Sequence, residues 1–114
     1  FLAFKNKKSL FAMTAHIIYS QYDPTNTATH SKIIIDDIIR KKLKFRQLLI
    51  SDDICMKALK YGLKENVIKS LKAGCNLILH CNGNINEMKI IANNVPKIDD
   101  FVIKKTSQFY KFLI

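Results

Sequence analysis

Apolar residues in this chain fall into short continuous runs and longer stripes of helical spacing, and polar residues mark where each one stops. Arg46 to Ile50 ends in three apolar residues, Leu48-Leu49-Ile50, cut off by Ser51-Asp52-Asp53. Such a run predicts a strand buried on both faces, as in a parallel sheet. Ser9 to Ala15 (SLFAMTA) predicts a second buried strand ending at His16, and Asn76 to His80 (NLILH) a third. Between the first two, His16 to His30 is rich in Thr and Asn around Asp23-Pro24 and reads mostly as loop. Ser31 is placed as an N-cap for a helix over Lys32 to Leu43, with Ile34, Ile35, Ile38, Ile39 and Leu43 on one stripe. Arg40, Lys41 and Lys42 fall in its last turn, where they suit the helix dipole.

Beyond the central acids, Ile54 to Leu59 predicts a short helix or turn, broken at Lys60-Tyr61-Gly62. Lys64 to Ala73 predicts a helix closed by Gly74 in the left-handed region. Asn84 to Asn94 predicts another, closed by Pro96, and Ile98 to Ile114 a last one. Strand and helix therefore alternate, which implies right-handed βαβ units and a parallel sheet. No strand is followed by a glycine-rich turn, so the dinucleotide and P-loop fingerprints are absent. Each strand instead ends in a polar residue, His16, Asp52 or His80, and strand ends are where α/β folds place their chemistry. Ser51, Asp52 and Asp53 also fit a helix N-terminus, where such side chains accept hydrogen bonds from free amides. One acid can cap while the other faces a substrate.

Composition narrows the function classes. A chain of 114 residues forms one domain, and an apolar content of 48% argues against disorder. The formal charge of +10 would suit a polyanion. Yet the basic residues are nearly all scattered lysines, and the arginines are Arg40 and Arg46 alone. Without arginine forks to read bases or clamp phosphates, nucleic acid is not the expected partner. Cys55, Cys75 and Cys81 are odd in number and lack paired spacing, so neither a disulfide framework nor a zinc site is expected. No apolar run reaches the ~20 residues of a membrane span. Phe1 to Phe4 is apolar but precedes its lysines, the reverse of a signal peptide. A start at Phe rather than Met suggests a piece of something longer.

Four stretches together resemble a family: Met13-Thr14-Ala15-His16-Ile17-Ile18-Tyr19, Asp23-Pro24 with Ala28-Thr29, Ile50-Ser51-Asp52-Asp53-Ile54-Cys55-Met56-Lys57-Ala58-Leu59, and Ala73-Gly74-Cys75-Asn76-Leu77-Ile78-Leu79-His80-Cys81-Asn82-Gly83. In this order they are similar to the bacterial β-N-acetylhexosaminidases of glycoside hydrolase family 3, over almost the whole chain. Those enzymes are single-domain TIM-like barrels that remove N-acetylglucosamine from peptidoglycan fragments in the cytoplasm during cell-wall recycling. The resemblance implies an α/β fold in which residues 1–114 are three consecutive β-α units, about the sixth to eighth, of a (β/α)₈ barrel, incomplete as it stands. It makes Asp52, the first acid of the Ser-Asp pair, the nucleophile of a retaining glycosidase, and leaves Asp53 to cap or to hold the loop. It places His16 at the rim of the sixth strand, where it touches substrate or lines the rim through hydrogen bonds. It implies no cofactor and no metal.

The same resemblance carries a departure. The family's acid/base is a His with an Asp partner on a mobile loop after strand five, and the sugar is gripped by residues of earlier strands. All of these lie upstream of the matching region. His80 and Asn82 are expected to hold the rim loop, and Cys55 and Cys81 to be small buried residues. Three strands of a closed barrel leave bare edges and apolar faces. The chain is expected to be inactive alone, and to need a separate chain with the missing strands or to self-associate. Three classes remain: a glycosidase segment, a non-catalytic structural or interaction piece, and a polyanion-binding module.

Overall fold

The computed structural model describes residues 8–114. The apolar run Phe1 to Phe4 lies outside them. Three strands, β1 (Phe11–Thr14), β2 (Leu48–Asp53) and β3 (Leu77–Leu79), form one parallel sheet in the order β1-β2-β3. The helices are a wide-turned π-helix (Ile34–Lys42), α1 (Leu63–Ala73), α2 (Ile85–Asn94) and α3 (Asp100–Leu113), with a short 3₁₀ turn at Ala28–His30. The α/β alternation expected from the sequence is therefore observed. The two outer strands differ from expectation in burial. Among the described residues each pairs on one side only, and β1 and β3 are largely half-buried, with Met13 exposed.

The central strand also ends later than its apolar run. Ser51, Asp52 and Asp53 belong to β2 and are not a helix N-terminus, since the next helix starts at Leu63. Pairing with both neighbours overrides the local preference of these residues for caps. Met13 and Thr14 pair with Ile50 and Ser51, and Asp53 pairs with Leu79. The β2–β3 register shifts between Ile50 and Asp53. At that shift the Leu79 N–H donates to the fully buried Ser51 Oγ at 3.0 Å, and the Ile54 N–H donates to the Leu79 carbonyl at 2.9 Å. A side chain thus satisfies an amide that the irregular ladder leaves over.

The stripe of isoleucines forms a helix as expected. Ser31 Oγ accepts the Ile34 amide at 3.1 Å, but the turns are wider than α, as the Leu43 N–H to Ile38 carbonyl bond of 2.8 Å illustrates. Ile34, Ile35 and Ile39 meet Phe45, Leu49, Ala73 and Cys75 in the main core. A second core joins Ile54, Leu59 and Val67 with Ile78 and Ile91, which seats α1 and α2 against β3. Arg40 does more than suit a dipole. Its guanidinium donates to the carbonyls of Phe45 (3.0 Å) and Gln47 (2.7 Å) and to Asn76 Oδ1 (2.9 Å). The same Asn76 oxygen accepts the Leu49 amide at 2.9 Å, so Arg40 ties the helix end to the entries of both β2 and β3.

The 16–30 loop is organised by Asp23, which is buried. One carboxylate oxygen accepts the Thr25 amide (3.0 Å), the Thr25 hydroxyl (2.9 Å) and the Asn26 amide (3.0 Å). Burial alone would raise its pKa, but these bonds and one from Ser31 outweigh it and hold the group well below the ordinary 3.8. Gly74, at φ 125°, ends α1 by donating its N–H toward the Ser70 and Leu71 carbonyls. A Cβ there would come within 2.7 Å of the branch methyl of the buried Ile35.

Three outcomes are expected from thermal or urea unfolding of the chain. Gly74→Ala costs ~2 kcal/mol or more, from strained backbone and contact with Ile35. Ser51→Ala leaves the Leu79 amide unpaired and costs about 1–3 kcal/mol. Because the folded Asp23 pKa is depressed, the unfolded chain takes up this proton first; its stabilisation is present above ~pH 4 and fades as the pH falls further. Asp23→Asn should flatten that acid limb.

Candidate active site

The polar residues at the strand ends gather on one rim. Asp52 and Asp53 close β2, His16 follows β1 by two residues, and His80 follows β3 directly. The two acids have separate duties. Asp53 Oδ1 accepts the Cys55 amide at 3.2 Å and so holds the turn after the strand. Its carbonyl accepts from His16 Nε2 at 2.9 Å. Asp52 is half-buried, and its Oδ1 accepts the Asp53 amide at 2.8 Å. A carboxylate with one oxygen fixed by a backbone amide at a strand end is a rigidly aimed negative charge.

His16 is buried, and both ring nitrogens are engaged by the protein. A carbonyl can only accept, so Nε2 carries the hydrogen that goes to Asp53. Nδ1 lies 2.8 Å from Thr29 Oγ1, whose hydroxyl also donates toward the Ala15 carbonyl at 3.1 Å. Thr29 Oγ1 lies 2.9 Å from Thr14 Oγ1, which lies 3.7 Å from Cys75 Sγ. The hydrogen-bonded row of Thr14, Thr29 and His16 thus ends on the backbone beside Asp52.

A second cluster occupies the neighbouring part of the rim. Glu87 Oε2 is shared by His80 Nε2 at 2.8 Å, Asn82 Nδ2 at 2.6 Å and the Cys55 thiol at 3.2 Å. His80 and Asn82 thus hold the rim loop, as expected; Asn82 Oδ1 also accepts the Asn84 amide at 2.8 Å. The hydrogen bonds from His80, Asn82 and Cys55 lower the Glu87 pKa to about 2. Burial, reinforced by the Glu87 carboxylate, pushes the Cys55 thiol up to about 12. Burial likewise raises Cys75 to about 11. Neither is a thiolate at neutral pH, which argues against thiol nucleophile chemistry. The cysteines are all free, but Cys81 is exposed and Cys55 only half-buried, because both lie on the open rim and not under a helix.

Glu87 is not singled out by the sequence pattern. The spacing Asn84-x-x-Glu87 is the available signal, since it is that of a capping box. Asn84 does cap α2, accepting the Asn86 and Glu87 amides. The Glu87 side chain turns back to residues 80 and 82 instead of completing the box.

Comparison with known proteins gives the family of the chain. Residues 2–105 match the Glycosyl hydrolase family 3 N terminal domain. The chain is 44% identical over 72 residues to a β-hexosaminidase of Nitrosomonas eutropha, covering 61% of this chain and 20% of that protein. It superimposes on CbsA of Thermotoga neapolitana with a TM-score of 0.72 at 28% identity, over 90% of this chain and 26% of that one. NagZ of Neisseria gonorrhoeae, solved in complex with N-trifluoroacetyl-D-glucosamine, gives a TM-score of 0.67 at 28% identity, over 82% of this chain and 26% of that one. The chain spans about a fifth of the length of the curated relatives it matches. Among the described residues no helix is long and apolar enough to cross a membrane. With the match running nearly end to end, the chain belongs to glycoside hydrolase family 3.

Proposed function

We propose that this chain is the nucleophile-bearing segment of a retaining β-N-acetylhexosaminidase, three consecutive β-α units from the carboxyl-terminal part of a (β/α)₈ barrel. The observation that carries the reading is the division of labour at the end of β2. Asp53 is tied into the turn and to His16, while Asp52 stands fixed at the rim with one backbone partner. Family membership supports it.

In this mechanism an Asp52 oxygen attacks the anomeric carbon of an N-acetylglucosamine unit. The bond from that carbon to the leaving-group oxygen breaks, and the proton the leaving group needs comes from a donor about 5 Å away across the sugar. Water then attacks the same carbon, gives up its proton to that group, and frees the Asp52 carboxylate. In the family resemblance the donor is a His–Asp pair on a loop upstream of this segment, so the segment alone has no turnover. His16 lines the substrate side of the rim and meets the sugar by exchanging one of its protein partners. The substrate class is N-acetylglucosamine-containing peptidoglycan fragments, handled in the cytoplasm as part of wall recycling.

The one-sided pairing of β1 and β3 and the exposed Met13, Ile17, Ile18, Ile85 and Met88 favour a partner that supplies the remaining strands. Without such a partner the chain is a structural or interaction piece with no catalysis of its own, which is the second reading.

The test is a chimera in which this chain replaces the matching segment of a bacterial β-hexosaminidase, assayed by release of a chromogenic group from a β-N-acetylglucosaminide. The chimera should turn over and the isolated chain should not. In the chimera, Asp52→Asn should lower kcat ~10³-fold or more, with the melting temperature nearly unchanged, while Asp53→Asn costs stability before activity. Near-normal turnover of the Asp52→Asn chimera would sink the assignment.

A further inference from the structure

Cys55, His80 and Glu87 arrive at one place from three elements: the turn after β2, the end of β3 and the first turn of α2. Their ligating atoms, Sγ, Nε2 and a carboxylate oxygen, all lie within 4.8 Å of one another. Two of the separations are 2.8 and 3.2 Å. A tetrahedral zinc ion with bonds of ~2.0 Å to N and O and ~2.3 Å to S needs its ligands roughly 3.3–3.7 Å apart. Two separations need only widen by a few tenths of an ångström, and the third lies within 4.8 Å, so the three atoms can converge on one ion.

The supports are also in place. Asn82 donates to the Glu87 carboxylate at 2.6 Å and is itself fixed by the Asn84 amide. This is the kind of outer hydrogen bond that orients a metal-binding carboxylate. The Asn84 cap holds the first turn of α2, and with it the Glu87 backbone. Exposure of Asn82 and Cys81 leaves the cluster open to solvent, so a cation can enter and a fourth position is free for water.

We propose that Cys55, His80 and Glu87 form a binding site for a zinc-type divalent cation, with three protein ligands and one solvent position. On binding, the Cys55 thiol releases its proton to solvent and its sulfur bonds the metal. The His80 and Cys55 hydrogen bonds to Glu87 give way to three metal bonds. A thiolate and a carboxylate balance the two charges of the ion, and the imidazole coordinates in its neutral form, which selects zinc, cobalt or cadmium over magnesium and calcium. The site rests on none of the assignments made for Asp52 or His16.

The experiment is titration of the intact chain with Co²⁺ under reducing conditions, followed by displacement with Zn²⁺. The expected result is one saturable equivalent with a thiolate-to-cobalt charge-transfer band in the near ultraviolet, abolished by Zn²⁺ and unaffected by excess Mg²⁺. Cys55→Ala should remove the band. Glu87→Gln, which keeps the shape and the Asn82 contact region, should weaken binding at least ~10-fold, since outer partners alone are worth 10- to 100-fold. Cys81→Ala and Cys75→Ala should bind as the parent does. Circular dichroism of each variant separates lost binding from lost folding. A band that survives Cys55→Ala, a band that disappears in Cys81→Ala, or no saturable binding in the parent chain would overturn the proposal.

Discussion

The hydrogen bond from the Leu79 amide to the buried Ser51 hydroxyl is the constraint on which the rim depends. It sits where β2 and β3 lose register, and it lets the central strand run on through two acids that would otherwise leave the sheet. Once β2 reaches Asp53, the backbone there can accept from His16, and the following turn can close on the Asp53 carboxylate. Asp52 is then fixed from both sides along the chain. A serine is well suited to this position, because it is small enough to be fully enclosed and still offers an acceptor to an amide without a ladder partner.

From that strand the structure builds outward in two directions. Toward β1, a row of hydroxyls and one imidazole runs by hydrogen bonds from Thr14 through Thr29 and His16 to the rim. Toward β3, the glutamate of α2 gathers an imidazole, an amide and a thiol. The first set is buried and positions backbone. The second is partly open, and its donor set suits a cation. Arg40 closes the opposite end of the strands, where it binds carbonyls and Asn76 at the entries to β2 and β3.

Much of this is legible in the residues because apolar runs and stripes report burial directly. The alternation of strand and helix, Ser31 and Gly74 at helix ends, and the strand-end placement of His16, Asp52 and His80 all follow from such patterns. The extent of β2 does not, because Ser-Asp-Asp is locally a capping sequence and only pairing on both sides keeps it extended. The π-helical turns are hidden in a stripe that fits an α-helix equally well. The partial exposure of β1 and β3 reflects their place at the edges of the sheet, which no single run encodes. Glu87 lies seven residues beyond His80, a separation that carries meaning only once β3 and α2 fold back together. The proposed role of Asp52 as nucleophile comes from family resemblance, with strand-end position as its physical basis.

A covalent trap probes that role without requiring the proton donor. A 5-fluoro N-acetylglucosaminyl fluoride has a leaving group that departs unprotonated and a fluorine that slows release of the glycosyl-enzyme. Applied to the chimera, it should add one sugar mass, and peptide mapping should place that sugar on Asp52, with no label in Asp52→Asn. A sugar found on Asp53 or elsewhere, or labelling that persists in the Asp52→Asn chimera, would contradict the assignment of Asp52 as the nucleophile of the rim.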